Sequence, residues 1–223
     1  MVLRPRRVVL ATRNAHKLAE LTRILAATGA GRLADLVSLA AYRGAPEAAE
    51  TGCTFEENAL LKARAIAAFT GLPAVADDSG LAADALNGMP GVLSARWAGR
   101  HGDDAANLAL ILAQLTDVPA ARRGARFVCA AALVIPGSWD TAPPSGRPPA
   151  ERVVTGELAG RLTTAPRGSG GFGYDPIFVP EGDTRTLAEM DPAEKDAISH
   201  RGRAFRALAT VIEELLAPGG PAG

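Results

Sequence analysis

The chain has 223 residues, 48% hydrophobic and 22% charged, with 24 basic and 24 acidic side chains and a formal net charge of +0. A chain of this size buries a core without help from a disulfide or a metal, and neutrality excludes a protein that works by bulk attraction to nucleic acid or an anionic membrane. Cys53 and Cys129 form no CxxC or Cys/His pattern, which argues against structural zinc and for a reducing compartment.

In chain order, the apolar residues 8–11 predict a short buried strand. The run is too short for a secretory or membrane-spanning segment and Arg13 interrupts it, so a cytoplasmic protein is expected. A helix is expected from about Lys17 to about Gly29, with Leu18, Leu21 and Leu25 on one face. Thr54-Phe55-Glu56-Glu57 is a capping box opening a helix over 58–70, with Gly71 and Pro73 as stop signals. Residues 74–76 predict a buried strand running into Asp77-Asp78-Ser79-Gly80, and 86–91 a loop. Asp103 or Asp104 caps a helix carrying Leu108, Ile111, Leu112 and Leu115. Residues 127–135 are apolar throughout and predict a central strand. The Pro-rich stretch 136–150 reads as a surface loop, with a returning strand over 152–158. A Gly-rich segment at 168–173 leads into 174–179. Asp191-Pro192 starts a helix that 199–216 continues or restarts. Alternating helices and strands followed by a strand-rich middle predict an α/β fold with a mixed sheet. The chain reads as one domain over 1–217, divisible into two lobes, with 218–223 a frayed tail.

Four segments carry candidate chemistry. Thr12-Arg13-Asn14-Ala15-His16-Lys17 lies at a strand-to-helix junction, where unpaired N–H groups and the helix dipole favour anions. An ordinary polar turn capped by Asn14 is the competing reading. Asp77 and Asp78 repel each other unless a cation shares their site, and such oxygen donors suit Mg²⁺. The alternative there is an Asp-Ser-Gly turn. Glu47, Glu50 and Glu57 are candidates for a further carboxylate, against solvated positions or, for Glu57, the capping partner alone. In 168–176, glycines allow close backbone approach and Phe172 and Tyr174 offer rings for a base, or simply core. Lys195, His200 and Arg201 cluster near a helix start. Lysine is rare in this chain: Lys17, Lys62 and Lys195 are all there are.

The ordered motifs T-R-N-x-x-K, T-F-E-E-N-A-x-x-K-A, A-D-D-S-G-L, G-x-P-G-x-x-S-A-R, G-G-F-G-Y-D-P-I-F and E-K-x-x-x-S-H-R resemble those of the inosine triphosphate pyrophosphatase (Ham1-like) family over nearly the whole chain. The resemblance implies an elongated mixed sheet flanked by helices, two lobes with a substrate cleft, and a homodimer. It implies Mg²⁺-dependent hydrolysis of ITP, dITP and XTP to the monophosphate and pyrophosphate. Thr12, Arg13, Asn14, Ala15, His16 and Lys17 would then hold the triphosphate, His16 through its backbone alone. Asp78 would be proton acceptor and metal ligand, with Glu50 the second acidic position, and Ser79 would touch substrate. Phe172, Gly173, Tyr174, Asp175, Lys195, His200 and Arg201 would line the nucleobase side. Lys195 and Arg201 are donors only, which suits the O6 acceptor of hypoxanthine and xanthine and not the amino group of adenine. Leu158-Ala159 depart from a Trp-Pro frequent in relatives, and the loop over 136–150 is longer than usual. A non-catalytic nucleotide-binding protein, and a pyrophosphatase for modified pyrimidine or methylated nucleotides, are the competing functions.

Overall fold

A computed structural model describes residues 6–28, 30, 34–137 and 148–216. Most of the long loop expected over 136–150, Gly29 and the tail over 218–223 lie outside them, and the first helix, expected to reach about Gly29, ends at Ala26. Six strands, β1 (Arg6–Leu10), β2 (Ala34–Ser38), β3 (Ala74–Ala83), β4 (Gly124–Ile135), β5 (Ala150–Leu162) and β6 (Phe178–Pro180), form one sheet in the order β2-β1-β3-β4-β5-β6. The helices are α1 (Ala15–Ala26), α2 (Phe55–Thr70), α3 (Asp104–Gln114), α4 (Pro192–Ile198) and α5 (His200–Leu216). The sheet is mixed. β1 is parallel to β2, with Val8 opposite Leu36, and parallel to β3, with Leu10 opposite Val75, whereas β5 and β6 are antiparallel, with Arg161 opposite Val179. Among the described residues no helix is long and apolar enough to cross a membrane.

The contacts divide the chain into two compact units. The first takes Met1–Asp78, Ala130–Thr155 and Ala204–Gly223, and the second takes Ser79–Cys129 and Gly156–Arg203. In the first, Ala59, Ala63, Ile66 and Ala67 of α2 pack on Val9, Ala74, Ala76, Ala130 and Ala132. Alanine on both surfaces brings the helix backbone close to the sheet, which places the polar residues of α2 within reach of β3. The second unit is built from larger side chains: Ile111 and Leu115 of α3 with Phe127, Leu158, Leu162, Ile177, Phe178 and Leu187.

Several elements differ from the sequence reading. β3 does not end in a turn at Asp77-Asp78-Ser79-Gly80 but runs through it to Ala83. A strand sends successive side chains to opposite faces, so the two adjacent carboxylates part instead of sharing one site. Gly80 allows this extension, because a Cβ there would collide with the Ser94 side chain and the Gly91 carbonyl. α1 starts two residues earlier than expected, at Ala15, since Asn14 accepts from the backbone N–H groups of His16 and Lys17 at 2.9 and 3.1 Å. α2 starts at Phe55 with Thr54 as cap. Asp103, not Asp104, caps α3, and Asp191 caps α4. A 3₁₀ turn over Asp175–Ile177 precedes a short β6. β2 was not anticipated.

Candidate active site

The first unit gathers three carboxylates and two lysines. On one face of β3, Asp77 Oδ2 accepts from Lys17 Nζ of α1 at 2.8 Å, and the Asp77 side chain is 1% exposed. On the other face, which β3 shares with Ala74 and Ala76, Asp78 meets α2. Its Oδ1 accepts from Lys62 Nζ at 2.9 Å and its Oδ2 from Asn58 Nδ2 at 3.1 Å. Lys62 and Asn58 are four residues apart on one helix face, as i,i+4 spacing requires. Asn58 is fully buried, and its Oδ1 accepts the Gly52 N–H at 2.8 Å. That one carboxamide therefore ties the 50–52 segment to β3. It helps bring Glu50 Oε1 to 3.1 Å from Lys62 Nζ, so a single ammonium bridges Glu50 and Asp78.

Of the three glutamates considered from sequence, only Glu50 contacts this lysine. Glu57 Oε2 accepts the Cys53 N–H at 2.6 Å, one residue before the Thr54 cap, while Thr54 Oγ1 accepts the Glu57 N–H at 3.2 Å. Glu47 lies 3.3 Å from Arg13 on the surface. Burial pushes the Asp78 carboxyl above its ordinary value, against the pull of Lys62. Burial also works against the Lys62 ammonium, but the Asp78, Asp77 and Glu50 carboxylates outweigh it and hold the group above its ordinary value.

The segment at the start of α1 is more committed than the sequence suggests. Arg13 donates to the Ala45 carbonyl at 2.6 Å, Thr12 Oγ1 accepts the Asn14 N–H at 3.2 Å, and Asn14 caps the helix. The capped turn is what the geometry displays. Ala15 and His16 supply the exposed first turn of the helix.

The second unit holds the other candidates. Lys195, 4% exposed, donates to Asp175 Oδ2 at 2.8 Å, and the same oxygen accepts the Phe172 N–H at 2.8 Å. Arg201 donates to Ser79 Oγ at 3.1 Å, with its guanidinium 4.7 Å from the Phe172 ring centroid; Lys195 Nζ lies 5.2 Å from the same centroid. Both are cation–π distances. The Gly173 N–H donates to Asp104 Oδ2 at 3.0 Å. Two side chains expected on the nucleobase side have core surroundings instead. Tyr174 is 5% exposed and donates to the Ser94 carbonyl at 2.8 Å, and burial raises its phenol further above its ordinary value. His200 is buried and stacks on Phe127, ring centroids 4.7 Å apart and 9° from parallel. Around the Phe172 ring, the Lys195 and Arg201 side chains converge, with Asp175 holding Lys195 in place.

Sequence reasoning gave Lys62 and Asn58 no role. The available signals were their places in the motif T-F-E-E-N-A-x-x-K-A and the rarity of lysine: each of the three lysines meets a buried carboxylate.

With this geometry in view, comparisons with known proteins agree. The Ham1 family model matches residues 8–211. A dITP/XTP pyrophosphatase of Streptomyces coelicolor is 60% identical over 210 residues, covering 94% of this chain and 98% of that protein. One from Nocardia farcinica is 60% identical over 209 residues, with 94% and 96% covered. Among solved structures, a nucleoside-triphosphatase / dITP/XTP pyrophosphatase from Mycobacterium abscessus superposes with a TM-score of 0.69 at 57% identity, over 91% of this chain and 97% of that one. A HAM1 protein from Coxiella burnetii gives 0.77 at 41% identity, over 93% and 98%. The motifs that resembled the family, the mixed α/β fold and these matches lead to one conclusion: the chain belongs to the Ham1 family.

Proposed function

We propose that the chain hydrolyses non-canonical purine nucleoside triphosphates, ITP, dITP and XTP, to the monophosphate and pyrophosphate. The observation that carries this is the cluster of Glu50, Lys62 and Asp78, present in a chain 60% identical to dITP/XTP pyrophosphatase. Asp78, held by Lys62 and Asn58 at fixed positions beside Glu50, is placed to act as a general base, a role that binding alone does not require.

The donor set fits a divalent cation. Glu50 and Asp78 already converge on one positive centre at 3.1 and 2.9 Å, and both present oxygen alone. Among the described residues no group of three or more His, Cys, Asp or Glu converges, and Mg²⁺ takes one or two carboxylates and completes its shell with phosphate and water. When bound, the ion supplies positive charge against the charge that develops on the phosphate oxygens. Asp78 orients a water toward the α-phosphorus and takes its proton as the new P–O bond forms. The bond from the α-phosphorus to the bridging oxygen breaks, and that oxygen leaves on pyrophosphate. Lys17, Arg13 and Thr12 hold the phosphate chain, with Asn14, Ala15 and His16 as the helix start behind it. Lys195 and Arg201 donate to the base with Phe172 as its platform, while Gly173, Tyr174, Asp175 and His200 shape their surroundings and Ser79 fixes Arg201. The proposal extends to a homodimer, as the resemblance implies, and to a cytoplasmic location, which the thiols of Cys53 and Cys129 support.

The test is a nucleotide panel with Mg²⁺, with products separated and no pyrophosphatase added. ITP and XTP should yield monophosphate and pyrophosphate far faster than ATP. Inorganic phosphate as the primary product, or a preference for modified pyrimidines, contradicts the proposal.

A further inference from the structure

Lys62 sits where a metal would. Its ammonium is 3.1 Å from Glu50 and 2.9 Å from Asp78, the two carboxylates assigned to the ion. Asp78 is buried and Glu50 partly buried, and two such carboxylates side by side repel each other, so a positive centre between them stabilises the pair. A lysine can leave such a position cheaply, because its charge is a compact group on a flexible four-carbon stem with three rotatable donors. The stem is rooted on α2, whose Ala59, Ala63 and Ala67 are packed into the core, so the ammonium can swing while the helix stays in place. Asn58 holds Asp78 Oδ2 independently of Lys62, so Asp78 keeps one partner throughout.

We propose that Lys62 is a resident counter-cation, holding Glu50 and Asp78 together while the divalent ion is absent and turning to the phosphate chain when the ion enters. This rests on the function proposed above. Charge makes the handover directional. Glu50, Asp77 and Asp78 against Lys17 and Lys62 leave the cluster with one net negative charge, which repels a triphosphate. A divalent ion reverses the sign and frees a donor at the same moment. Metal and triphosphate therefore bind cooperatively, each favouring the other by the same factor, with a coupling of about 5–150-fold.

The chain's three lysines make the test direct. In protein labelled with ¹³C at lysine Cε, three side-chain signals are expected, and Lys62→Arg removes one and so assigns it. Mg²⁺ alone, without nucleotide, should move the Lys62 signal along a saturable curve and leave that of Lys195 in place. Calorimetry should show Lys62→Met binding Mg²⁺ at least about fivefold tighter than the wild type, since nothing has to be displaced. With Mg²⁺ saturating, the same variant should bind a non-hydrolysable ITP analogue more weakly. An unmoved Lys62 signal at saturating Mg²⁺, no Mg²⁺ binding at all, or weaker Mg²⁺ binding by Lys62→Met overturns the handover. Failure of the proposed function looks different: no nucleotide in the panel releases pyrophosphate, whatever Lys62 does.

Discussion

Lys195 Nζ and Asp175 Oδ2 are 2.8 Å apart, with side chains 6% and 3% exposed. The pair joins α4 to the turn that follows the Gly-rich segment, and the same Asp175 oxygen holds the Phe172 N–H. Removing one member of such a pair strands a buried charge, at about 3–5 kcal/mol. Asp175→Ala is therefore expected to lower stability by that order in chemical denaturation, and adding Lys195→Met should recover part of the loss. A loss under about 1 kcal/mol would show the pair to be solvated in solution.

Two glycines of the same segment separate conformational cost from collision. Gly171 and Gly173 have φ of +70° and +61°, but a Cβ on Gly171 meets the Asp175 carboxylate, whereas one on Gly173 meets nothing within 4 Å. A left-handed alanine costs about 1–2 kcal/mol. Gly173→Ala should show that cost alone, and Gly171→Ala more, together with a raised KM for ITP as Phe172 is displaced. Equal melting temperatures for the two variants would contradict this reading.

How much of this was legible in the sequence follows from the range of the interactions. The cap at Thr54, the Asp191-Pro192 helix start and the apolar run of β4 are local signals, and the structure has all three. The course of β3 was not local. Asp77-Asp78-Ser79-Gly80 has the composition of a turn, and it is extended because Gly80 packs under Ser94 and each carboxylate finds a lysine from a different helix. The same holds for Tyr174 and His200, whose core partners Ser94 and Phe127 are 80 and 73 positions away in sequence. Lys62 carried a signal in being one of three lysines and in standing, with Asn58, inside the motif T-F-E-E-N-A-x-x-K-A. β2 is five residues of mixed exposure, too weakly patterned to read.

The surface carries a pH-dependent element of its own. Hydrogen bonds from the Arg185 side chain and backbone hold the Asp183 carboxyl down at about 2, from an ordinary 3.8. A carboxyl depressed on folding adds stability above its unfolded value, and that stability is lost as pH falls through the folded one. The stability difference between wild type and Arg185→Ala should be constant near neutrality and disappear between about pH 4 and pH 2. Carbon-detected NMR should find the Asp183 midpoint near 2 in the wild type and back toward 3.8 in the variant. An ordinary midpoint in both would mean that the pair is not formed in solution.

Asp78→Asn tests the assigned base. Lys62 and Asn58 donate to different oxygens of Asp78 and the amide keeps only one, so one of the two hydrogen bonds is lost while the fold should survive. The amide neither accepts a proton nor ligates a cation well, and the loss of a general base alone is worth about 10²–10⁴-fold in kcat. Circular dichroism should stay near wild type and the melting temperature fall modestly while ITP turnover collapses. Turnover close to wild type in the folded variant would remove Asp78 from the chemistry.

Arg201 separates base reading from general binding. It is 7% exposed, fixed by Ser79 and set over Phe172 beside Lys195, so its donors are pre-positioned and cost little to orient. Hypoxanthine and xanthine offer O6 as an acceptor. Adenine offers an amino group that would leave buried donors facing a donor, and a site built for a hydrogen bond rejects such a mismatch by up to about 10⁴–10⁵-fold. Phe172 cannot make that distinction, since every base has a π-face. Arg201→Ala should therefore lower kcat/KM for ITP and XTP much more than for ATP, and so narrow the preference among them. Arg201→Lys keeps the charge but loses the planar fork over Phe172, and should recover only part of it. The measurement is kcat/KM for ITP, XTP, GTP and ATP with all three proteins. A uniform fall across the four nucleotides would make Arg201 a phosphate-binding or structural residue and leave the choice of base to Lys195 and the backbone of residues 172–175.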